Sequence, residues 1–118
     1  MELDAFENST RAKVLDDLQF GSHLRVNKTL IRKIGLQLAA LLANYINIYT
    51  YMLEYNPAFT GIIKTTLYNA KKNTGLSMEE ITEGTNKLDK MGLISWHWER
   101  KKLCIKFDFE AIENLLDE

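Results

Sequence analysis

Between residues 74 and 107 the apolar spacing of the chain changes from helical to alternating, and this sets the order of elements any fold must accommodate. The stretch reads TGLSMEEITEGTNKLDKMGLISWHWERKKLCIKF. Ser77-Met78-Glu79-Glu80 fits the capping box, in which Ser77 takes the amide of Glu80 and the Glu80 carboxylate reaches back. From this cap Met78, Ile81, Thr85, Leu88 and Met91 recur at helical spacing and are expected to form a buried face. Glu79, Glu83, Asn86, Lys87 and Lys90 point the other way, and Gly92 ends the helix. Residues 94–98 then alternate, with Ile94, Trp96 and Trp98 on one face and Ser95 and His97 on the other. Leu103, Ile105 and Phe107 alternate likewise, opposed by Cys104 and Lys106. Two such runs joined by Glu99-Arg100-Lys101-Lys102 predict a β-hairpin with a basic tip. The alternation predicts that both Trp rings pack inward rather than offering a base-stacking platform, with His97 outward.

Upstream, the elements are mainly helical. In the first twenty residues Asn8, Ser9 or Thr10 offers an N-cap, and Val14 and Leu18 share a face. Residues 23–26 read as a short extended piece, and Asn27 caps a helix over Lys28–Ile34. Gly35 punctuates it, and Leu36 opens a long helix to Tyr55 that is apolar round most of its circumference. Its length suits a membrane span, but Gln37, Asn44, Asn47 and Thr50 favour a buried helix instead. Pro57 stops it. Residues 59–63 read as a short strand or extended lead-in. Thr65 or Thr66 caps the next helix, which turns Leu67, Tyr68 and Ala70 inward. Asn73-Thr74-Gly75 is the turn, and Asp108 caps a last helix over about residues 109–117.

The division that follows is an N-terminal arm or helix over residues 1–22, a central domain over 23–108 and a C-terminal helix over 109–118. An all-round apolar helix in so small a domain implies self-association. The expected homodimer interface uses Phe6, Val14 and Leu18 of the arm with Leu42, Tyr45 and Tyr49 of the long helix; the alternative for the arm is a loosely docked segment.

Composition narrows the function classes. With 118 residues, 46% hydrophobic and 26% charged, the chain is an ordinary globular domain. A net charge of −1 gives no global pull toward nucleic acid, so any contact needs a local basic patch. The single cysteine, the absence of a signal-like apolar run and the absence of a membrane span make the cytoplasm the expected location. One Cys and two His do not make a zinc motif, and no phosphate loop, Gly-x-Ser-x-Gly or His-Glu-x-x-His occurs. The expectation is a non-enzyme without cofactor or metal.

Helix, turn, helix and hairpin in this order are the second half of a winged helix-turn-helix, so the expected fold is mainly α with a small β-hairpin wing. In that fold the second helix enters the major groove and the wing meets a neighbouring phosphate. Lys71, Lys72, Lys87, Lys90, Arg100, Lys101 and Lys102 are candidate phosphate contacts; Ser77, Thr82 and Asn86 are candidate contacts on the helix that faces the groove. Glu79, Glu80 and Glu83 stand on the same helix. Glu80 belongs to the cap, and Glu83 is the hardest to reconcile with a groove.

Two segments carry a family resemblance: RVNKTLIRKIGLQLAALLANYI, and TTLYNAKKNTGLSMEEITEGTNKLDKMGLISW. They resemble the winged-helix domain of phage and plasmid replication proteins, namely the replisome-organiser and DnaD-like initiation proteins. The second half is also similar to MarR-like regulators. The matching positions are Gly35-Leu36, Thr74-Gly75-Leu76-Ser77 and residues 88–94, within about 25–107. The resemblance implies a domain that binds double-stranded DNA or self-associates in replication initiation or transcription control. The alternative is an interaction module whose acidic helix and apolar long helix dock on a replisome or host protein.

Overall fold

A computed structural model describes the backbone of residues 5–20 and 23–117 and the side chains of residues 9–16 and 23–117. The described chain is mainly helical with one small sheet. Its elements are α1 (Ala5–Phe20), α2 (Lys28–Ile34), α3 (Leu36–Tyr55), β1 (Ile62–Thr65), α4 (Leu67–Thr74), α5 (Met78–Lys90), β2 (Ile94–Glu99), β3 (Lys102–Phe107) and α6 (Phe109–Leu116).

Local chemistry sets most of these boundaries. Asn27, Thr66, Ser77 and Asp108 each accept the amide three residues on, at 3.0 to 3.1 Å, which satisfies one free donor of each helix start. Both halves of the Ser77–Glu80 capping box form. Gly35, at φ +87°, is the whole junction between α2 and α3: its amide closes one helix on Ile31 and its carbonyl opens the next to Ala39. One boundary differs from expectation. Asn8, Ser9 and Thr10 lie inside α1 rather than at its start.

The sheet has three strands, in the order β1-β3-β2, all antiparallel. The expected hairpin is present, and it gains β1 as a partner beyond the two strands read from sequence. The lead-in expected over residues 59–63 becomes a strand shifted to Ile62–Thr65, because there Ile63 and Thr65 pair with Ile105 and Leu103 on the core face. That face also carries Ile94 and Phe107, and α3 and α5 pack on it. The core comprises Leu41, Leu42, Tyr45, Ile81, Leu88, Leu103 and Ile105, all without solvent exposure, among others.

Helix α3 crosses α5 closely at Gly84. At Gly84 an added Cβ would come within 2.9 Å of Leu41 Cδ2 and 3.3 Å of Leu38 Cδ2, so the missing side chain lets the helices close. Beside it Thr85 donates to the Ile81 carbonyl at 2.6 Å. With that proton committed, the Tyr45 hydroxyl donates to Thr85 Oγ1 at 2.9 Å.

This packing corrects several expectations. Leu42 and Tyr45 are not at a dimer interface but inside the core of one chain. Tyr49 is half-buried, its ring edge-on to Phe59, Phe107 and Phe109 of the same chain. The helix sheds its surplus apolar surface at its ends instead, through Leu36, Tyr51, Leu53 and Tyr55, all exposed. Met78, Met91 and Tyr68 are exposed rather than inward, since each lies at or next to a helix end, beyond the reach of the core. Among the described residues no helix is long and apolar enough to cross a membrane.

Helix α1 stands apart. All its described side chains are exposed, Val14 and Leu15 included, and among the described residues no other element packs extensively on it. The Cα radius of gyration is 17.5 Å; a compact chain of this length has about 13.5 Å. The interface positions Phe6 and Leu18 lie outside the described side chains. Helix α6 returns to pack on α2.

Candidate nucleic-acid interface

The hairpin joins β2 to β3 through two residues, Arg100 and Lys101, at φ +50° and +66°. Positive φ at both central positions is the requirement of a type I′ turn, which suits the strand twist and normally takes Asn-Gly. Here two long cations occupy a left-handed region that costs an L-residue about 1–2 kcal/mol. The turn therefore carries backbone strain and, with Lys102, presents three exposed positive charges. Replacing Lys101 with Gly relieves one of the two positions. We expect Lys101→Gly to raise unfolding stability by about 1 kcal/mol in urea denaturation, while it weakens any function that uses the charge.

Under the tip lies a mainly apolar groove of about 520 Å³, lined by Thr66, Leu67 and Tyr68 from the start of α4, Met78 from the start of α5, and Trp98 and Lys101. Trp98 departs from the expectation that both indoles pack inward. Its strand position does face the helices, opposite buried Leu103, but the helices end short of it and the ring is 47% exposed. Trp96 is half-buried, edge-on to Trp98 at 5.6 Å, and its Nε1–H donates to Asn86 Oδ1 at 3.1 Å. Sequence alternation gave the direction of Trp98; it carried no signal for where the covering layer stops.

The exposed face of α5 is divided by charge. Glu79 and Glu83 are exposed in its first half, and Lys87 and Lys90 in its last turn. The side chains expected to read bases have partners within the chain. Ser77 caps the helix, Thr82 donates to the Met78 carbonyl at 2.9 Å, and Asn86 holds Trp96. Lys71 and Lys72 lie in the last turn of α4, where they complement the helix dipole. Lys72 lines a recess with His23, Asn44, Asn47 and Asn73 against α3, a different place from the groove that Lys101 lines. The structure thus gathers Arg100, Lys101 and Lys102 at the tip, with Lys101 over the apolar groove. It does not bring Lys72 to that groove.

Two exposed carboxyls, Glu80 on α5 and Glu99 at the end of β2, are held below the usual range. The Ser77 backbone amide, then its hydroxyl contact, lowers Glu80; the hydrogen bond and charge of Lys64 lower Glu99. A lowered folded-state value means that the stabilisation is present above the ordinary carboxyl range and is lost as pH falls through the folded value. Unfolding stability is therefore expected to decline as pH drops below 4.5, and Glu80→Gln to flatten that decline. At neutral pH Ser77→Ala should cost about 1 kcal/mol. Chemical denaturation over a pH series measures both.

Compared with protein-family models, curated proteins and solved structures, the chain has no match.

Proposed function

We propose that the chain is a winged helix-turn-helix protein that binds double-stranded DNA through its hairpin tip. The fold reading is supported by the order α3-β1-α4-α5-β2-β3 with the sheet order β1-β3-β2. In it α4 and α5 are the helix-turn-helix and the β2–β3 hairpin is the wing. The observation that carries the binding reading is the tip itself. Three adjacent cations, two of them in strained backbone, project where the helices no longer cover the sheet. Phosphate contacts of this kind set affinity and salt dependence without reading sequence. With Ser77, Thr82 and Asn86 engaged internally, sequence readout is a minor part of the binding.

A role in replication initiation or transcription control follows from the family resemblance of residues 25–107. A homodimer is the assembly we favour, through α1 and the exposed end of α3 at Tyr51, Leu53 and Tyr55, in place of Leu42 and Tyr45. The test is fluorescence anisotropy with a labelled duplex across a salt series. Affinity should fall steeply with salt, and no binding to any duplex at low salt would overturn the reading.

One observation favours a second reading, a module that docks on a protein. The groove of Tyr68, Met78 and Trp98 is mainly apolar, and exposed Glu79 follows Met78 in the same first turn of α5. On that reading Trp98→Ala and Glu83→Lys abolish capture of a partner while duplex binding is absent.

A further inference from the structure

The outer face of the sheet carries a row across all three strands. Cys104 of the central strand is flanked directly by Lys64 on β1 and by His97 on β2. Sequence alternation placed Cys104 on the open face, and so it is, yet it is only 1% exposed because these neighbours cover it. Glu99 stands two residues beyond His97 on the same face of β2 and turns back over the thiol.

Its two oxygens have different partners. Oε1 accepts from Lys64 Nζ at 3.2 Å. Oε2 accepts from the Cys104 thiol at 3.7 Å and lies 3.9 Å from His97 Nε2. The sulfur, the imidazole nitrogen and the carboxylate oxygen all lie within 4.8 Å of one another. Zinc binds such donors at about 2.0–2.3 Å in a tetrahedron, whose edges are then about 3.3–3.8 Å. The sulfur–carboxylate separation stands at that edge length, and the two longer ones both involve His97, whose exposed ring can rotate to shorten them.

We propose that His97, Glu99 and Cys104 form a binding site for a borderline-soft divalent cation such as Zn²⁺, with the fourth position open to water or to a ligand from outside the chain. The donor set of one sulfur, one nitrogen and one oxygen suits zinc and disfavours magnesium or calcium, which take oxygen ligands. Glu99 keeps Oε1 on Lys64 while Oε2 turns to the metal, so the ammonium orients the carboxylate from behind. In the metal-free chain the Cys104 thiol donates to Glu99 Oε2. On binding, the sulfur–hydrogen bond breaks, a sulfur–metal bond forms and the proton leaves to solvent. Affinity consequently rises with pH. The site clips β2 to β3 at the base of the hairpin whose tip carries the cations. In sequence one Cys and two His make no zinc motif; the pairing of His97 with Cys104 across strands brings the three ligands together.

Metal-free protein titrated with ZnCl₂ by calorimetry, and with CoCl₂ by absorption, tests this. The expected result is one metal per chain and a thiolate-to-cobalt charge-transfer band with visible bands of tetrahedral intensity. His97→Gln and Glu99→Gln, both at exposed positions that leave the core intact, should each weaken Zn²⁺ at least tenfold. Cys104→Ser should abolish the charge-transfer band, and binding should tighten as pH rises. Absence of the band in the wild type, or Zn²⁺ affinity unchanged in His97→Gln and Glu99→Gln, would overturn the site. Neither outcome bears on duplex binding by the tip.

Discussion

Tyr45→Ala is expected to destabilise the protein by about 3–5 kcal/mol, the range for deleting a large aromatic from a core. Total stability for a domain of this size is about 5–15 kcal/mol, so the variant stands near the edge of folding. Tyr45 has no exposed surface, and its hydroxyl reaches from α3 to Thr85 of α5, the residue after Gly84. Removing it leaves a cavity where neighbouring Leu41 and Leu42 are already packed on all sides. Tyr45→Phe is the informative partner. It deletes only the hydroxyl and should cost about 1 kcal/mol, because Thr85 keeps its bond to the Ile81 carbonyl and is not left unsatisfied. Burial pushes the Tyr45 phenol up to about 12. A raised folded value means that the contribution is intact below the ordinary tyrosine value of 10.0 and is lost as pH climbs toward 12. Tyr45→Phe should therefore lack that component of alkaline destabilisation. Urea denaturation of the three proteins at pH 7 and at high pH decides it. A cost for Tyr45→Ala below about 1 kcal/mol would place the residue at a surface, as the dimer expectation had it.

Neutralising the tip should have the largest effect on function. The triple variant Arg100→Ala/Lys101→Ala/Lys102→Ala is expected to lower duplex affinity on the order of 10²-fold at moderate salt and to reduce the log–log salt slope by about 2.7, for three phosphate contacts. The loss should be the same for unrelated duplex sequences, since these contacts carry no base information. Lys101→Gly separates the two roles of the turn: it should weaken binding by about one contact while making the fold more stable. If the triple variant binds as tightly as the wild type, the tip is not the binding element. The mainly apolar groove beneath it then becomes the functional surface.

How much of this was legible beforehand depended on the range of the interaction. The caps at Asn27, Ser77 and Asp108, the long helix and the hairpin could be read because each rests on residues within a few positions of one another. The inward face of α5 was read correctly at Ile81, Thr85 and Leu88 and wrongly at Met78 and Met91. Helical spacing tells which side faces the core, but not how far along the helix the core extends. Trp98 repeats this lesson on a strand. Leu42 and Tyr45 show its converse: an apolar circumference points to an interface, whereas α3 is enclosed by α2, α4, α5 and β1. Nothing local in residues 59–65 announces pairing with a strand some forty residues away.

By itself, then, the sequence determined the elements, most of their ends and the basic character of the hairpin tip, since backbone capping, period and turn chemistry act over a few residues. The tertiary structure alone decided where burial stops. It exposed Trp98 and Tyr68 over a groove, enclosed Tyr45, occupied Asn86 with an indole, and set His97 and Glu99 against Cys104. Each of those depends on contacts between residues distant in the chain, through strand register and helix crossing, and no local pattern encodes them.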